Sequence, residues 1–84
     1  MSDAVIPVHL FAAARAAVGA DRVDVSAATL GEVLAQLVEQ YPRFASVAPQ
    51  CSYLVDSLAV HGDPAAVELA PGTRVDVLPP FAGG

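Results

Sequence analysis

With 84 residues, 55 % of them hydrophobic and 15 % charged, the chain is expected to form one small domain with a core. Its formal net charge of −5, with four arginines and no lysine, argues against nucleic-acid binding, because phosphate backbones favour positively charged proteins. A single cysteine, Cys51, excludes an internal disulfide framework and a four-cysteine metal site. No apolar run reaches the ~20 residues of a membrane span, and no basic residue precedes an apolar segment at the start of the sequence, so we expect a cytoplasmic protein without membrane contact.

The first quarter of the chain predicts two strands and a short helix between them. Residues 5–11 alternate between apolar and other side chains, as in a half-buried strand. Residues 12–18 are rich in alanine and precede Gly19, which favours a short helix with a glycine stop. Residues 21–25 alternate again, so the two strands are expected to pair as a hairpin with a long connection.

The clearest helix signal covers residues 29–41. Thr29 and Glu32 have the T-x-x-E spacing of a capping box, with Ser26 as an alternative cap. Six apolar side chains then recur at helical spacing and form one stripe: Leu30, Val33, Leu34, Leu37, Val38 and Tyr41. Burying the stripe is worth roughly 9–18 kcal/mol before entropy, at ~1.5–3 kcal/mol per side chain, so the helix needs a sheet face to pack on. Pro42 is expected to end it.

The second half of the chain predicts three more strands, separated by turns. Residues 43–50 are interpreted as a connection in which Phe44 tucks under the helix end. Strands are expected at residues 51–55, 58–61 and 74–78, with turn chemistry at Asp56-Ser57. Leu69 is expected to return to the core. Pro71-Gly72 favours a type II turn into the last strand.

This order of elements predicts an α+β protein with a β-grasp, or ubiquitin-like, fold: a mixed four- to five-stranded sheet with one main helix packed across it. In the last strand Val75 and Val77 are predicted to point inward and Asp76 outward. If the first and last strands are neighbours, the end of the chain leaves from one end of the sheet. We therefore divide the chain into a β-grasp domain, residues 1–78, and an extended carboxy-terminal tail, residues 79–84.

The tail carries the strongest functional signal. Pro79 and Pro80 cannot extend a sheet ladder, because each lacks a backbone N–H. Six residues in polyproline II geometry span roughly 19 Å, at ~3.1 Å each. Gly83 and Gly84 have no side chains, so their end is narrow enough to enter a channel and can adopt φ values closed to other residues. The alternative is a frayed end whose glycines are incidental.

The segment Leu78-Pro79-Pro80-Phe81-Ala82-Gly83-Gly84 resembles the carboxy-terminal signature of the small subunit of molybdopterin synthase, the MoaD-type sulfur carrier. Residues 8–15 with Val18-Gly19, the start of the main helix and residues 71–75 are also similar to that family. Asp56 and Phe81 depart from it, since Asn and Val are common at these two positions. Thiamine-pathway carriers share the fold and the Gly-Gly end but typically lack the double proline.

The resemblance implies a function for the terminal carboxylate of Gly84. A ubiquitin-activating-type adenylyltransferase would use ATP to adenylate it, and a sulfur donor would displace AMP to leave a thiocarboxylate. The tail would thread into the large subunit of molybdopterin synthase through Pro79, Pro80, Phe81, Ala82 and Gly83, and Leu78 and Phe81 would dock on that partner. Sulfur would then pass to a cyclic pyranopterin phosphate to build the dithiolene of the molybdenum cofactor. The chain would bind no cofactor, would not be an enzyme on its own, and would act in a heterotetramer of two small and two large subunits.

Other interpretations are open at this point. The chain could carry sulfur for thiamine or cysteine synthesis, modify proteins as ubiquitin does, or be a non-catalytic β-grasp interaction module. Cys51 is either a buried, inert thiol or a reactive, persulfide-bearing one. His9 and His61 lack cysteine or acidic neighbours at ligand spacing, so no metal site is predicted. The missing lysines argue against chains built on the protein's own side chains.

Overall fold

Five strands and three α-helices occur in residues 4–79, the part of the chain described by the structure, a computed structural model. The strands are β1 (Ala4–Leu10), β2 (Arg22–Ala27), β3 (Ser52–Val55), β4 (Leu58–Ala59) and β5 (Val75–Leu78). The helices are α1 (Ala12–Val18), α2 (Leu30–Gln40) and α3 (Phe44–Val47), with 3₁₀ turns at Ala48–Gln50 and Pro64–Ala66. Within residues 4–79, every helix is too short to cross a membrane.

The strands form one mixed sheet in the order β2-β1-β5-β3-β4. β1 pairs antiparallel with β2, with Ile6 opposite Val25, and parallel with β5, with Leu10 beside Val77. β5 pairs antiparallel with β3, which forms a hairpin with β4. The predicted β-grasp fold is confirmed with five strands. The first and last strands are neighbours, which is the condition for the end of the chain to leave from one end of the sheet.

One face of the sheet and the apolar stripe of α2 form the core. The inward side chains of β1 and β5 are fully buried, and so are three members of the α2 stripe: Ile6, Val8, Leu10, Val75, Val77, Leu30, Val33 and Leu37. Leu34 and Tyr41 are half-buried at its border, and Leu69 returns to the core as predicted. Val38 is 37 % exposed, so its predicted burial is wrong.

The start of α2 matches the predicted capping box in most details. The Thr29 hydroxyl accepts a hydrogen bond from the Glu32 backbone N–H at 3.2 Å, which identifies Thr29 rather than Ser26 as the cap. The Glu32 carboxylate accepts from the backbone N–H of Ala28 at 2.8 Å, one residue earlier than the ideal motif requires. The helix ends at Gln40, two residues before Pro42.

The short helix α1 also follows its prediction. It spans Ala12–Val18 and ends at Gly19, whose φ of 85° is readily available only to glycine. Ala14 and Val18 face the core, so this helix packs on β1 and β5 beside α3.

Two segments of the second half differ from their predictions. Residues 44–50, predicted as part of a connection, are helical. The backbone N–H groups of Phe44 and Ala45 donate to the carbonyls of Tyr41 and Pro42, and the Phe44 ring is buried in the core. β4 contains two residues instead of four, because its pairing with β3 is limited to Ala59 opposite Leu54 and Leu58 opposite Val55.

Candidate functional site: the base of the tail

The tail leaves the sheet beside the end of β1. β5 ends at Leu78, and the backbone N–H of Phe11 donates to the Val77 carbonyl at 3.2 Å just before that point. Pro79 follows outside the strand and is half-buried. Pro80, Phe81, Ala82, Gly83 and Gly84, which carry most of the site predicted from the sequence, lie outside the described residues.

Three apolar side chains surround this exit on the sheet face opposite α2. Leu78 points away from the core, since its neighbour Val77 points into it, and it pairs with Ser52 of β3. Leu54 is on the same face of β3, and Phe11 continues the alternation of β1 to the same side. We call Phe11, Leu54 and Leu78 the tail-base patch. Leu54 and Leu78 are half-buried and Phe11 is 40 % exposed.

Phe11 is a residue that the sequence interpretation missed as part of the site. The alternation of residues 5–11 places Phe11 at the end of the first strand. The resemblance names only Leu78 and Phe81 as residues that dock on a partner. The available signal was its position immediately before the alanine-rich helix, on the solvent side of the strand alternation.

Polar groups lie next to the patch on the same sheet face. The Arg74 Nε donates to the Asp76 carboxylate at 2.7 Å, and Asp76 lies beside His9 in the register of β5 and β1. Asp76 points outward as predicted, yet it is only 7 % exposed, because neighbouring strands and the Arg74 side chain cover it. A buried carboxylate is tolerated here because a guanidinium pairs with it.

The turn between β3 and β4 is connected to the start of β5. Asp56 donates its backbone N–H to the Arg74 carbonyl at 2.8 Å, and its carboxylate accepts from the Arg74 backbone N–H at 2.9 Å. Both turn residues have positive φ, 47° at Asp56 and 69° at Ser57. This turn therefore fixes the strand that leads into the tail.

Cys51 lies just before β3, one residue from the partner of Leu78. Its half-buried thiol donates to the Val47 carbonyl at 3.3 Å, and burial raises the pKa of the thiol. Next to it, the Tyr53 hydroxyl donates to the Ala48 carbonyl at 2.9 Å, and burial first, then the Cys51 charge, raises the pKa of Tyr53 to about 12. A raised thiol pKa lowers the thiolate fraction, which favours the inert interpretation of Cys51. Within residues 4–79, no three His, Cys, Asp or Glu side chains are grouped so as to hold a metal ion.

A β-grasp body whose central strand β5 runs directly into a Pro-Pro and Gly-Gly tail defines a class of small ubiquitin-like carriers and modifiers. The ThiS family matches residues 8–84, so the chain belongs to the ThiS family. No protein of curated function matches this chain.

Solved structures with the same fold cover almost the whole chain. The small archaeal modifier protein 1 from Methanosarcina acetivorans is 22 % identical over 100 % of this chain and 99 % of that one, with a TM-score of 0.82. The HVO 2177 protein from Haloferax volcanii is 32 % identical over 96 % of this chain and 87 % of that one, with a TM-score of 0.79. A chain in the complex of subunits 1 and 2 of molybdopterin-converting factor from Helicobacter pylori is 19 % identical over 95 % of this chain and 99 % of that one, with a TM-score of 0.73.

Proposed function

We propose that this chain is the sulfur-carrier small subunit of molybdopterin synthase and that Gly84 carries the sulfur. One observation carries the proposal: β5, a strand in the middle of the sheet, leads into a segment whose Pro-Pro and Gly-Gly resemble the carboxy-terminal signature of the MoaD type, with Phe81 in place of the common Val. Membership in the ThiS family supports it. The proposal includes action in the cytoplasm, where ATP is available for activation.

The chemistry of a terminal carboxylate requires an activation step. With an ordinary pKa of about 3.3–3.7, the carboxylate is ionised at neutral pH and is a poor electrophile. Its oxygen would attack the α-phosphorus of ATP on a ubiquitin-activating-type adenylyltransferase, with loss of pyrophosphate. A sulfur nucleophile at the sulfide level would then attack the carbonyl carbon, AMP would leave, and a thiocarboxylate would result.

The large subunit of molybdopterin synthase would receive this group. The thiocarboxylate sulfur would bond to a carbon of the cyclic pyranopterin phosphate while a carbon–oxygen bond at that carbon breaks, its oxygen leaving with the phosphate group or as water. Water would then cleave the resulting thioester, which leaves the sulfur on the pterin and restores the Gly84 carboxylate. Two such transfers would build the dithiolene. This chain would contribute a narrow tail, Pro79, Pro80, Phe81, Ala82 and Gly83, and a body that positions it.

The tail-base patch is the proposed docking surface for that partner. Phe11, Leu54 and Leu78 present apolar surface at the point where the tail leaves the sheet, so a protein that accepts the tail must pass close to them. The structural likeness to a chain in the complex of subunits 1 and 2 of molybdopterin-converting factor supports a large-subunit partner. Phe81 is proposed to extend the same apolar contact.

A second candidate is a ubiquitin-like protein modifier, favoured by the TM-score of 0.82 to the small archaeal modifier protein 1. In that case Gly84 would form an amide with lysine amines of target proteins. Because this chain has no lysine, it would not be extended through its own side chains. Conjugates of higher mass that disappear on deletion of Gly84 would favour this candidate.

Genetic complementation separates the pathways. We expect the chain to rescue an auxotroph that lacks the molybdopterin synthase small subunit, and a matched variant with one alanine appended after Gly84 to fail. The appended residue leaves the β-grasp body unchanged but moves the carboxylate. Rescue of a thiamine auxotroph alone, or equal rescue by the extended variant, would count against the proposal.

A further inference from the structure

Three of the four arginines in the chain line one cavity. Arg15, Arg22 and Arg74 surround a volume of about 420 Å³ at the carboxyl end of β1. They come from α1, from the start of β2 and from the residue before β5. The position of β1 between β2 and β5 brings them together, and Arg22 lies directly opposite His9.

The hydrogen-bond donors of these arginines are largely unused. Arg74 directs only its Nε to Asp76, at 2.7 Å. Arg22 directs its Nε and Nη2 to a single Asp24 oxygen, at 3.2 and 3.1 Å. A guanidinium has five N–H donors, so each ion pair orients its arginine and leaves several donors available. Among residues 4–79 Arg15 has no ion pair.

The charge around the cavity sets a limit on how tightly an anion binds. Asp21 also lines it and repels an anion. Together Asp21, Asp24 and Asp76 balance the formal charge of the three arginines. A ligand would therefore be held by directed hydrogen bonds from pre-oriented guanidinium groups rather than by net charge, which favours an affinity on the order of millimolar.

We propose that this cavity binds the phosphate group of a small organic phosphate. A planar carboxylate has two oxygens and is satisfied by one guanidinium, whereas a phosphate group presents more acceptor oxygens in a tetrahedral arrangement and suits donors that converge from three elements. The cavity has the size of a small-molecule site, and the 40 % exposed Phe11 ring gives it an apolar wall for the organic part. The site shares Phe11 with the tail-base patch, but binding of phosphate by the arginines does not depend on the chemistry of Gly84.

The test is a titration of the full chain with phenyl phosphate, followed by amide chemical shifts in ¹H–¹⁵N NMR spectra at constant ionic strength. We expect saturating shifts at His9, Phe11, Arg15 and Arg22, and binding of benzoate that is at least about fivefold weaker. Benzoate has the same ring with a carboxylate, so equal affinity for the two would overturn the assignment to phosphate. Shifts that do not saturate, or that spread over the whole sheet, would mean non-specific binding and would overturn the site itself.

Three exposed positions provide the variants. Arg15→Gln removes one guanidinium and is expected to weaken phenyl phosphate binding about tenfold, the effect of losing one charge-assisted contact. Asp21→Asn removes the opposing carboxylate and is expected to tighten binding about threefold at low salt. Arg43→Gln is the matched control, because Arg43 is the one arginine that does not line the cavity and should leave binding unchanged. Equal binding by the Arg15→Gln and Arg43→Gln variants would contradict the proposal, and the same spectra report whether each variant is folded.

Discussion

At the scale of single residues, Asp56 combines an unusual backbone conformation with a structural hydrogen bond. Its φ is 47°, and its carboxylate accepts from the Arg74 backbone N–H at 2.9 Å. We expect Asp56→Ala to lower the free energy of unfolding by about 1–2 kcal/mol, because the Arg74 N–H loses its partner. Asp56→Asn keeps an acceptor oxygen and a residue that tolerates positive φ, so its effect should be much smaller. Urea denaturation measures both, and equal losses would show that the hydrogen bond contributes little.

Ser57, in the same turn, is a position where we expect a substitution to stabilise the protein. Its φ of 69° is in the left-handed region, which costs a residue with a side chain roughly 1–2 kcal/mol. Ser57→Gly removes this cost but adds freedom to the unfolded chain, so we expect a net gain of about 0.5–1 kcal/mol in the free energy of unfolding. A destabilised glycine variant in the same urea experiment would show that the turn is not strained.

Tyr53 makes stability depend on pH in the alkaline range. Its pKa is raised to about 12 in the folded protein, chiefly by burial, from an ordinary value of about 10 in the unfolded chain. The folded protein holds the Tyr53 proton more tightly than the unfolded chain does. The contribution of this difference to the free energy of unfolding is complete below about pH 10 and is lost as the pH rises towards 12, because the unfolded chain loses the proton first. We expect the free energy of unfolding to fall by about 1–2 kcal/mol over this range. Tyr53→Phe should remove most of that fall.

Burial raises the pKa of the Cys51 thiol as well, and the Cys51 charge contributes to the raised pKa of Tyr53. The protein with Tyr53 and its Tyr53→Phe variant should therefore be compared when both also carry Cys51→Ala. A fall of the same size with and without the Tyr53 hydroxyl would contradict the account.

At the scale of elements, Gly31 determines how closely α2 approaches the 3₁₀ turn Pro64–Ala66. A Cβ on Gly31 would lie 3.0 Å from the Ala65 Cα and 3.2 Å from its backbone nitrogen. Alanine is favoured over glycine in a helix by about 1 kcal/mol, but this contact with backbone atoms opposes that gain. We expect Gly31→Ala to lower the free energy of unfolding by about 1 kcal/mol in total.

Ala35 is the control for this helix, because it is exposed in α2. Ala35→Gly should cost about 1 kcal/mol from helix propensity alone. If Gly31→Ala instead stabilises the protein by a similar amount, the 3₁₀ turn moves freely and the close approach has no energetic role.

Some elements of this fold are predicted by local sequence patterns, and others are not. α2 was predictable because its cap, stripe and stop all lie within residues 29–42. α3 was not: burial of Phe44 was predicted, but one apolar side chain does not show that the backbone around it is helical. Val38 follows the helical spacing and is still exposed, so the spacing alone did not show which members of the stripe the sheet covers. Tertiary packing, rather than local helix propensity, determines the conformation or burial at these positions.

At the scale of the whole molecule, the tail-base patch should determine partner binding. We expect Leu78→Asp to weaken binding of the large molybdopterin synthase subunit by at least about a hundredfold, because a charge would be buried in an apolar contact. Val5→Asp is the matched control, since Val5 is 58 % exposed on the same sheet face but at the opposite end of β1. Isothermal titration calorimetry measures both affinities. Equal losses would place the interface elsewhere on the sheet.

The candidate functional site was only partly predictable from the sequence, because part of it depends on how distant segments pair in the folded molecule. The tail is a continuous segment, so its prolines and glycines could be interpreted directly from the sequence. Phe11 and Leu78 are distant in sequence and become neighbours only through the parallel pairing of β1 and β5. The same pairing gathers Arg15, Arg22 and Arg74 around one cavity. Long-range register, which a single sequence does not show, creates both surfaces.

The central claim is that the Gly84 carboxylate is converted to a thiocarboxylate. The most direct measurement is the intact mass of the chain after incubation with the activating enzyme, ATP and a sulfur donor. The account predicts a product in which one oxygen is replaced by sulfur, localised to Gly84 by fragmentation and absent without ATP. A carboxylate that stays unmodified under conditions where the same enzyme converts a known carrier would contradict it.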